Sequence, residues 1–434
     1  MKISPRDREL LTLAIPALGA LIAEPLYVLA DTAVVGHLGT VPLAGLAVAS
    51  AALLLIYGLC FFLAYGTTAA IARLTGAGEE KRAAEHAVQS LWLAIFLGLA
   101  LAAGGTLAAT PLLQLLGARG DLLAHASIYF RLSMYGAPAM LVMLAGVGYL
   151  RGIKDTVRPL WVAIGTALLN LVLELVLIYR FDLGIGASAM ATVVAQWVGA
   201  FCSLLWISRA IRPHHVSLTP DFAAMRRLLT VAGELLVRNM ALTSTFVTAT
   251  AVAARIGTID VAAHQIAFQA WFVMAMSMDA MAIAAQAMIG NLLGAGRADE
   301  AHLVGRRTIV WSVGIGSALS VVLFLAQTPF AQVFSADPAV IALSGFLVVH
   351  VALMGPLSGV AFALDGILIG AGDQRHMAKA MASAAGIGIP AIILTRVAGL
   401  GIGWVWGGIW IFMLARTSLL YRRFLSGRWQ VTGA

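Results

Sequence analysis

The chain has 434 residues, of which 61% are hydrophobic and only 11% charged. Soluble domains average about 45–50% apolar and about 25% charged residues, so this composition excludes an ordinary soluble globular protein and points to a bilayer. The net charge of +8 does not argue for nucleic acid, because the basic residues are scattered through short loops.

At about 20 apolar residues per crossing, the sequence predicts twelve spans. In the first half they lie near 10–35, 43–72, 86–110, 126–150, 159–180 and 187–208. In the second half they lie near 228–254, 261–290, 308–328, 344–370, 377–398 and 402–421. The first apolar run is too long for a signal-peptide core and is read as a retained span. The longest polar stretch, Arg209 to Arg227, falls at the midpoint. The expected organisation is therefore an N-terminal six-helix lobe (1–210), a cytoplasmic linker (211–227) and a C-terminal six-helix lobe (228–434).

Lys and Arg set the expected orientation. If the N-terminus and every second connection face one side, the other side holds five basic residues: Arg119, Arg131, Arg180, Arg255 and Arg396. Arg238 falls inside a span, which leaves 22 of 28 on the first side. The positive-inside rule then predicts both termini cytoplasmic. The halves also align without a gap at an offset of 218. Gly39-Thr40 meets Gly257-Thr258, Gly76-Ala77-Gly78 meets Gly294-Ala295-Gly296, and Thr110-Pro111 meets Thr328-Pro329. Pro138 meets Pro356, and Gly152 and Asp155 meet Gly370 and Asp373. With six spans per half, both copies share one orientation. The predicted fold class is an all-α polytopic membrane protein of twelve transmembrane helices, in two lobes related by a parallel pseudo-twofold repeat.

Ionisable residues inside spans are costly, roughly 2.5–3.5 kcal/mol each on insertion scales, and mark function. The first span is interrupted by Pro16, Glu24, Pro25 and Asp31. Glu24, Tyr27 and Asp31 are spaced to share one helical face. In the fifth span Asn170 and Glu174 are one turn apart; in the sixth, Ser188, Thr192 and Gln196 form a stripe. At about 1.5 Å per residue, Glu174 lies about 22 Å from the cytoplasmic start of its helix. Thr192 lies less than about 10 Å from the outer surface. Asp31 is near the outer end of its helix, and Tyr129 near the outer start of the fourth. Two readings follow: an acidic cavity binding a proton or cation, or solvated helix-end groups with Asn170 stitching helices together. Glu24 has no identifiable partner.

In the second half Glu234 and Arg238 are one turn apart, while Asp279 and Asp365 fall towards the cytoplasmic half. Arg238 is expected to pair with one of these acids, either as a gate or as a static ion pair. Met274, Met278, Met281 and Met288 nearly share a face, which suits varied apolar ligands and equally suits packing. His264 and His350 lack metal spacing and read as structural. Cys60 and Cys202 offer no disulfide framework or metal spacing. The glycines at 399, 401 and 403 lack a preceding strand, and no P-loop, nucleophile elbow or zinc motif occurs. An ion gradient is the expected energy source, with no cofactor.

Several motifs carry a family resemblance. LAIP…YVLADTAVVGHLG, GAGEEKRAA, LRGIKDTVRP, NLVLELVLIY, VRNMALTSTFVTATAVAARIGTIDVAAHQI and LDGILIGAGDQ resemble the multidrug and toxic compound extrusion (MATE) family, in particular its DinF-like branch. The resemblance implies twelve helices in two lobes, alternating access, and export of lipophilic or cationic compounds against H⁺ or Na⁺. It assigns the functional carboxylate to Asp31, with Tyr27, Tyr129, Asn170, Glu174 and Thr192 around it and Pro16 as the bending point. A sodium ion would use Asp31, Asn170, Glu174 and Thr192. The branch commonly has Asp where this chain has Glu174, which leaves Na⁺ coordination less supported than protonation. Asp365 is only a loose counterpart of the second-lobe acid of the NorM-like branch. The implied setting is a monomer among lipids of a bacterial inner membrane. A lipid-linked precursor flippase of the wider superfamily is the alternative, and would show a more cationic central cavity. A membrane-embedded enzyme or channel lacks any supporting motif.

Overall fold

The computed structural model describes residues 4–181 and 183–433; the side chain of Glu24 lies outside the described residues. A chain this apolar can satisfy its backbone N–H and C=O groups in hydrocarbon only within helices or a closed barrel. The described residues form helices and no strands. The first half contains α1 (Pro5–Gly36), α2 (Thr40–Cys60), α3 (Phe62–Gly76), α4 (Glu80–Leu115), α5 (Gly120–Met134), α6 (Ala137–Gly152), α7 (Val157–Tyr179) and α8 (Ile185–Ile211). The second contains α9 (Phe222–Ile256), α10 (Thr258–Gly294), α11 (Ala298–Leu325), α12 (Gln327–Phe334), α13 (Pro338–Gly370), α14 (Gln374–Val397) and α15 (Ile402–Leu425).

Eleven of these stretches are long and apolar enough to cross a bilayer, α2 and α3 counting as one; the pair α5–α6, bent by 49°, makes the twelfth. The bend falls just before Pro138. Proline lacks the N–H that would bond back to Met134, and its ring crowds the preceding turn. The repeat is visible in the helix ends. Thr40 and Thr258, Gly76 and Gly294, Gly120 and Pro338, and Gly152 and Gly370 bound equivalent helices, each pair 218 positions apart.

Packing repeats as well. A Cβ on Gly148 would stand 2.8 Å from the Ala64 carbonyl oxygen, and Gly366 lies closer still to that of Ala282. Gly152 over Thr68 and Gly370 over Gln286 match in the same way, at 3.1 and 2.5 Å. Without strong hydrophobic drive between helices in lipid, such small residues let backbones approach and gain dispersion contact.

The chain separates into two compact units at different points from the sequence-based lobe boundary. Residues up to Leu18 group with Gly233–Gly433, and Gly19–Ala232 form the other unit. The divisions fall inside α1 and α9. The polar stretch 211–227 is no free tether, because part of it is bonded to α4. Gln89 Nε2 donates to the Thr219 carbonyl at 3.0 Å, and Asp221 N–H donates to Gln89 Oε1 at 2.7 Å. The Trp92 indole N–H donates to the Leu218 carbonyl at 2.8 Å, and Phe222 stacks on Phe96.

Candidate proton and cation site

Four helices of the first half bring polar side chains to one place. On α1, Tyr27 and Asp31 stand one turn apart; α7 supplies Asn170 and Glu174, α8 supplies Ser188 and Thr192, and α5 supplies Tyr129. Asp31 is 4% exposed, Asn170 2% and Glu174 0%, so the acids are buried. Ser188 Oγ donates to Asp31 Oδ1, and the Tyr129 hydroxyl reaches Asp31 Oδ2 at 3.5 Å. Beside them, Thr192 Oγ1 donates to the Ser188 carbonyl at 3.0 Å. Its one hydrogen thus committed, Thr192 accepts from Tyr27 at 2.7 Å and from Asn170 Nδ2 at 2.9 Å.

Three acceptors are left over. Asn170 Oδ1 and both carboxylate oxygens of Glu174 are buried without a hydrogen-bond partner. Glu174 nevertheless lies within hydrogen-bonding range of the Asp31 carboxyl. The two facts agree: ionised carboxylates only accept, so neither acid can bond the other until a proton sits between them. Among the described residues no cationic side chain pairs with either acid. Two adjacent buried carboxyls without a counter-charge favour taking up one proton or one cation.

The structure thus gathers all six sequence-predicted residues, Tyr27, Asp31, Tyr129, Asn170, Glu174 and Thr192. The near donor to Asp31 is Ser188, which the sequence reading put on the α8 stripe without assigning it to the site. Its spacing, one turn before Thr192, was the available signal. Pro16 lies well below this cluster in α1, which runs unbroken through Pro16 and Pro25.

The second half buries charge differently. Arg238 of α9 and Arg416 of α15 both donate to Asp365 Oδ2 of α13. Arg238 also reaches Asn239 Oδ1 at 2.7 Å, and the Arg416 guanidinium lies 5.2 Å from the Phe362 ring centroid. Asp279 acts on Arg416 electrostatically. The expected partner Asp365 is present for Arg238, whereas Glu234 on the same face has Arg375 and Asp373 as its charged neighbours. Arg416 needs correction. Counted with the cytoplasmic loops, it is instead fully buried inside the last span. The four methionines of α10 are 0–2% exposed and belong to packing. His264 Nε2 stands 3.0 Å from Thr250 Oγ1, a local contact between α9 and α10. Among the described residues no group of three His, Cys, Asp or Glu could hold a metal ion.

The MatE family model matches residues 16–176 and 235–394, a stretch in each half of the repeat. The chain belongs to the MatE family. Members are transporters, not enzymes, and this one is a multi-pass membrane protein. It is 28% identical over 439 residues to DNA damage-inducible protein F of Escherichia coli, covering 98% of this chain and 95% of that protein. It is 32% identical over 441 residues to the chloroplastic Protein DETOXIFICATION 44 of Arabidopsis thaliana, covering 98% and 82%. A MATE protein solved in a bent conformation matches with a TM-score of 0.86 at 21% identity, over 99% of this chain and 96% of that one. A MOP superfamily transporter from Pyrococcus furiosus, described as having reversed binding-pocket polarity, matches at 0.87 and 22%, over 99% and 96%. These two share the fold.

Proposed function

We propose that this MatE protein exports lipophilic, mainly cationic compounds from the cytoplasm across a bacterial inner membrane in exchange for protons. Both termini then face the cytoplasm, as the distribution of Lys and Arg requires. One observation carries the reading: Asp31 and Glu174 adjoin in a buried pocket with no cationic partner among the described residues and with both Glu174 oxygens unsatisfied. Loading one proton supplies the missing donor and removes a charge repulsion in a single step. Coupling requires only that proton and drug oppose each other's binding, whether or not they share atoms. Protonation from outside repacks the outer arm of α1 about Pro16 and expels the drug; deprotonation inside restores the receptive form. Pro16 supports such a movement, because its missing N–H leaves the backbone ladder of α1 one bond short. In the second half, Arg238, Asp365 and Arg416 hold helices together as a static ion cluster, since each charge has an opposite one in contact.

The test is ethidium efflux from proteoliposomes after a pH jump, with and without Na⁺. The unaltered chain is expected to move dye when the gradient is imposed, with no requirement for Na⁺. Asp31→Asn should abolish movement while eluting as the same folded species. A fully active Asp31→Asn protein would overturn the assignment, and dye movement driven by Na⁺ alone would replace the proton with sodium at these residues.

A further inference from the structure

The acid-bearing helix is fixed at its other end. Ser4 and Asp7 cap α1 reciprocally: Asp7 N–H donates to Ser4 Oγ at 3.2 Å, and Asp7 Oδ2 accepts from Ser4 N and Ser4 Oγ, both at 2.8 Å. Capping accounts for one carboxylate oxygen. The other, Oδ1, accepts from the Trp311 indole N–H of α11 at 3.0 Å, from a residue 304 positions away. Arg307, one turn before Trp311, stands 3.8 Å from Asp7 Oδ2. Arg6 pairs with Glu300 of the same α11 at 2.8 Å. Glu300, Arg307 and Trp311 recur at seven and four residues and so share one helical face. Asp7 itself is 0% exposed. A simple helix cap needs none of these contacts.

Further along, α1 changes the unit with which it packs. Residues up to Leu18 belong with Gly233–Gly433, and Gly19 onward belong with the unit that contains the Asp31 pocket. Pro16 and Gly19 bracket the changeover. Pro16 cannot bond back to Thr12, so the ladder there is already one bond short. Gly19 lets Leu160 come within 2.8 Å of where a Cβ would stand.

We infer that Asp7 and Trp311 are positioning residues of the transport cycle. They keep the arm Pro5–Leu18 docked on α11 at every stage, so movement started at Asp31 is taken up at Pro16–Gly19 and the helix does not slide as a whole. The inference rests on the proton coupling proposed above, and adds which end of α1 stays still. Nothing in it requires Asp7 to gain or lose a proton.

Spin-label distances separate the two claims. In a background with Cys60→Ala and Cys202→Ala, one label pair at Arg8→Cys and Leu303→Cys reports the docked arm, and one at Leu29→Cys and Leu168→Cys reports the outer arm. All four positions are exposed. Lowering the pH from about 8 to about 5 should shift the outer pair and leave the inner pair unchanged; in Asp31→Asn neither pair should shift. Trp311→Phe, which keeps the ring and removes the donor, should broaden the inner-pair distribution. It should also lower the maximal ethidium rate about tenfold at unchanged KM. Asp7→Asn, which keeps an acceptor for the indole, should retain the rate that Asp7→Leu loses. An inner pair that moves with pH as far as the outer one overturns the inference, as does a Trp311→Phe protein indistinguishable from the parent. If neither pair answers to pH, proton coupling itself fails and the inference falls with it.

Discussion

Asp31 and Glu174 in the first half and Asp365 in the second are all but fully buried, yet they keep opposite company. Two arginines donate to one oxygen of Asp365, whereas a serine, a tyrosine and a second acid surround Asp31. The repeat sharpens the contrast. At the positions 218 further on, Asp31 is replaced by Ala249 and Glu174 by Ile392, each 0% exposed in an apolar core. One scaffold thus carries a solid core where its copy carries a buried acid pocket. Depth in the membrane does not tell the two kinds of buried carboxylate apart. Partners do: two arginines compensate Asp365, whereas among the described residues no cationic side chain pairs with Asp31 or Glu174.

The largest expected difference is in stability. Asp365→Ala leaves two guanidinium groups in the bundle without their shared acceptor and should cost about 3–5 kcal/mol. Thermal unfolding in detergent should show this as a large drop in Tm or as lost folded yield. Asp31→Asn in the same assay should change stability by less than about 1 kcal/mol, because it removes a charge that nothing compensates. Equal losses would break the comparison. Next come the equivalent glycines. Gly366→Ala should destabilise by about 1–3 kcal/mol through overpacking against Ala282, and Gly148→Ala by less, following their closeness to the facing carbonyls. The reverse order would mean that the second half is the looser one.

Glu174→Gln then tests the pocket as a pair. Folding should be unaffected, while the rise of ethidium efflux with external acidity should flatten, because Asp31 no longer shares a proton with a second acid. A pH profile identical to the parent would assign coupling to Asp31 alone. The smallest effects rank the donors to Asp31. Ser188→Ala should cost about 1 kcal/mol of pocket stabilisation, read as a several-fold change in transport rate. Tyr129→Phe removes a bond already at the 3.5 Å limit and should change the rate less than about twofold.

Much of the molecule is legible in the sequence because two of its rules are one-dimensional. A bilayer crossing needs a run of apolar residues, and a repeat shows as register, so the twelve spans and the equivalence of Thr40 with Thr258 follow directly. Helical spacing likewise placed Asn170 with Glu174 and Tyr27 with Asp31. What escaped depends on which helices meet. Arg416 lies near the basic end of the last span and counts as a loop charge until Asp365, 51 residues away, is seen to receive it. Ser188 looks like one more hydroxyl on the α8 stripe until the fold turns it towards Asp31. The divisions inside α1 and α9 depend on which unit each part of those helices belongs to, which no window average records.

The seating of the mid-chain loop has a practical corollary. Gln89 holds both Thr219 and Asp221, and Trp92 holds Leu218, so these residues serve as a strap for α4. Anyone dividing the gene to produce the halves as separate polypeptides should leave 217–222 attached to the first fragment. A cut after Ala232, where the compact units divide inside α9, keeps the strap whole; one at His214 would carry it away with the wrong piece.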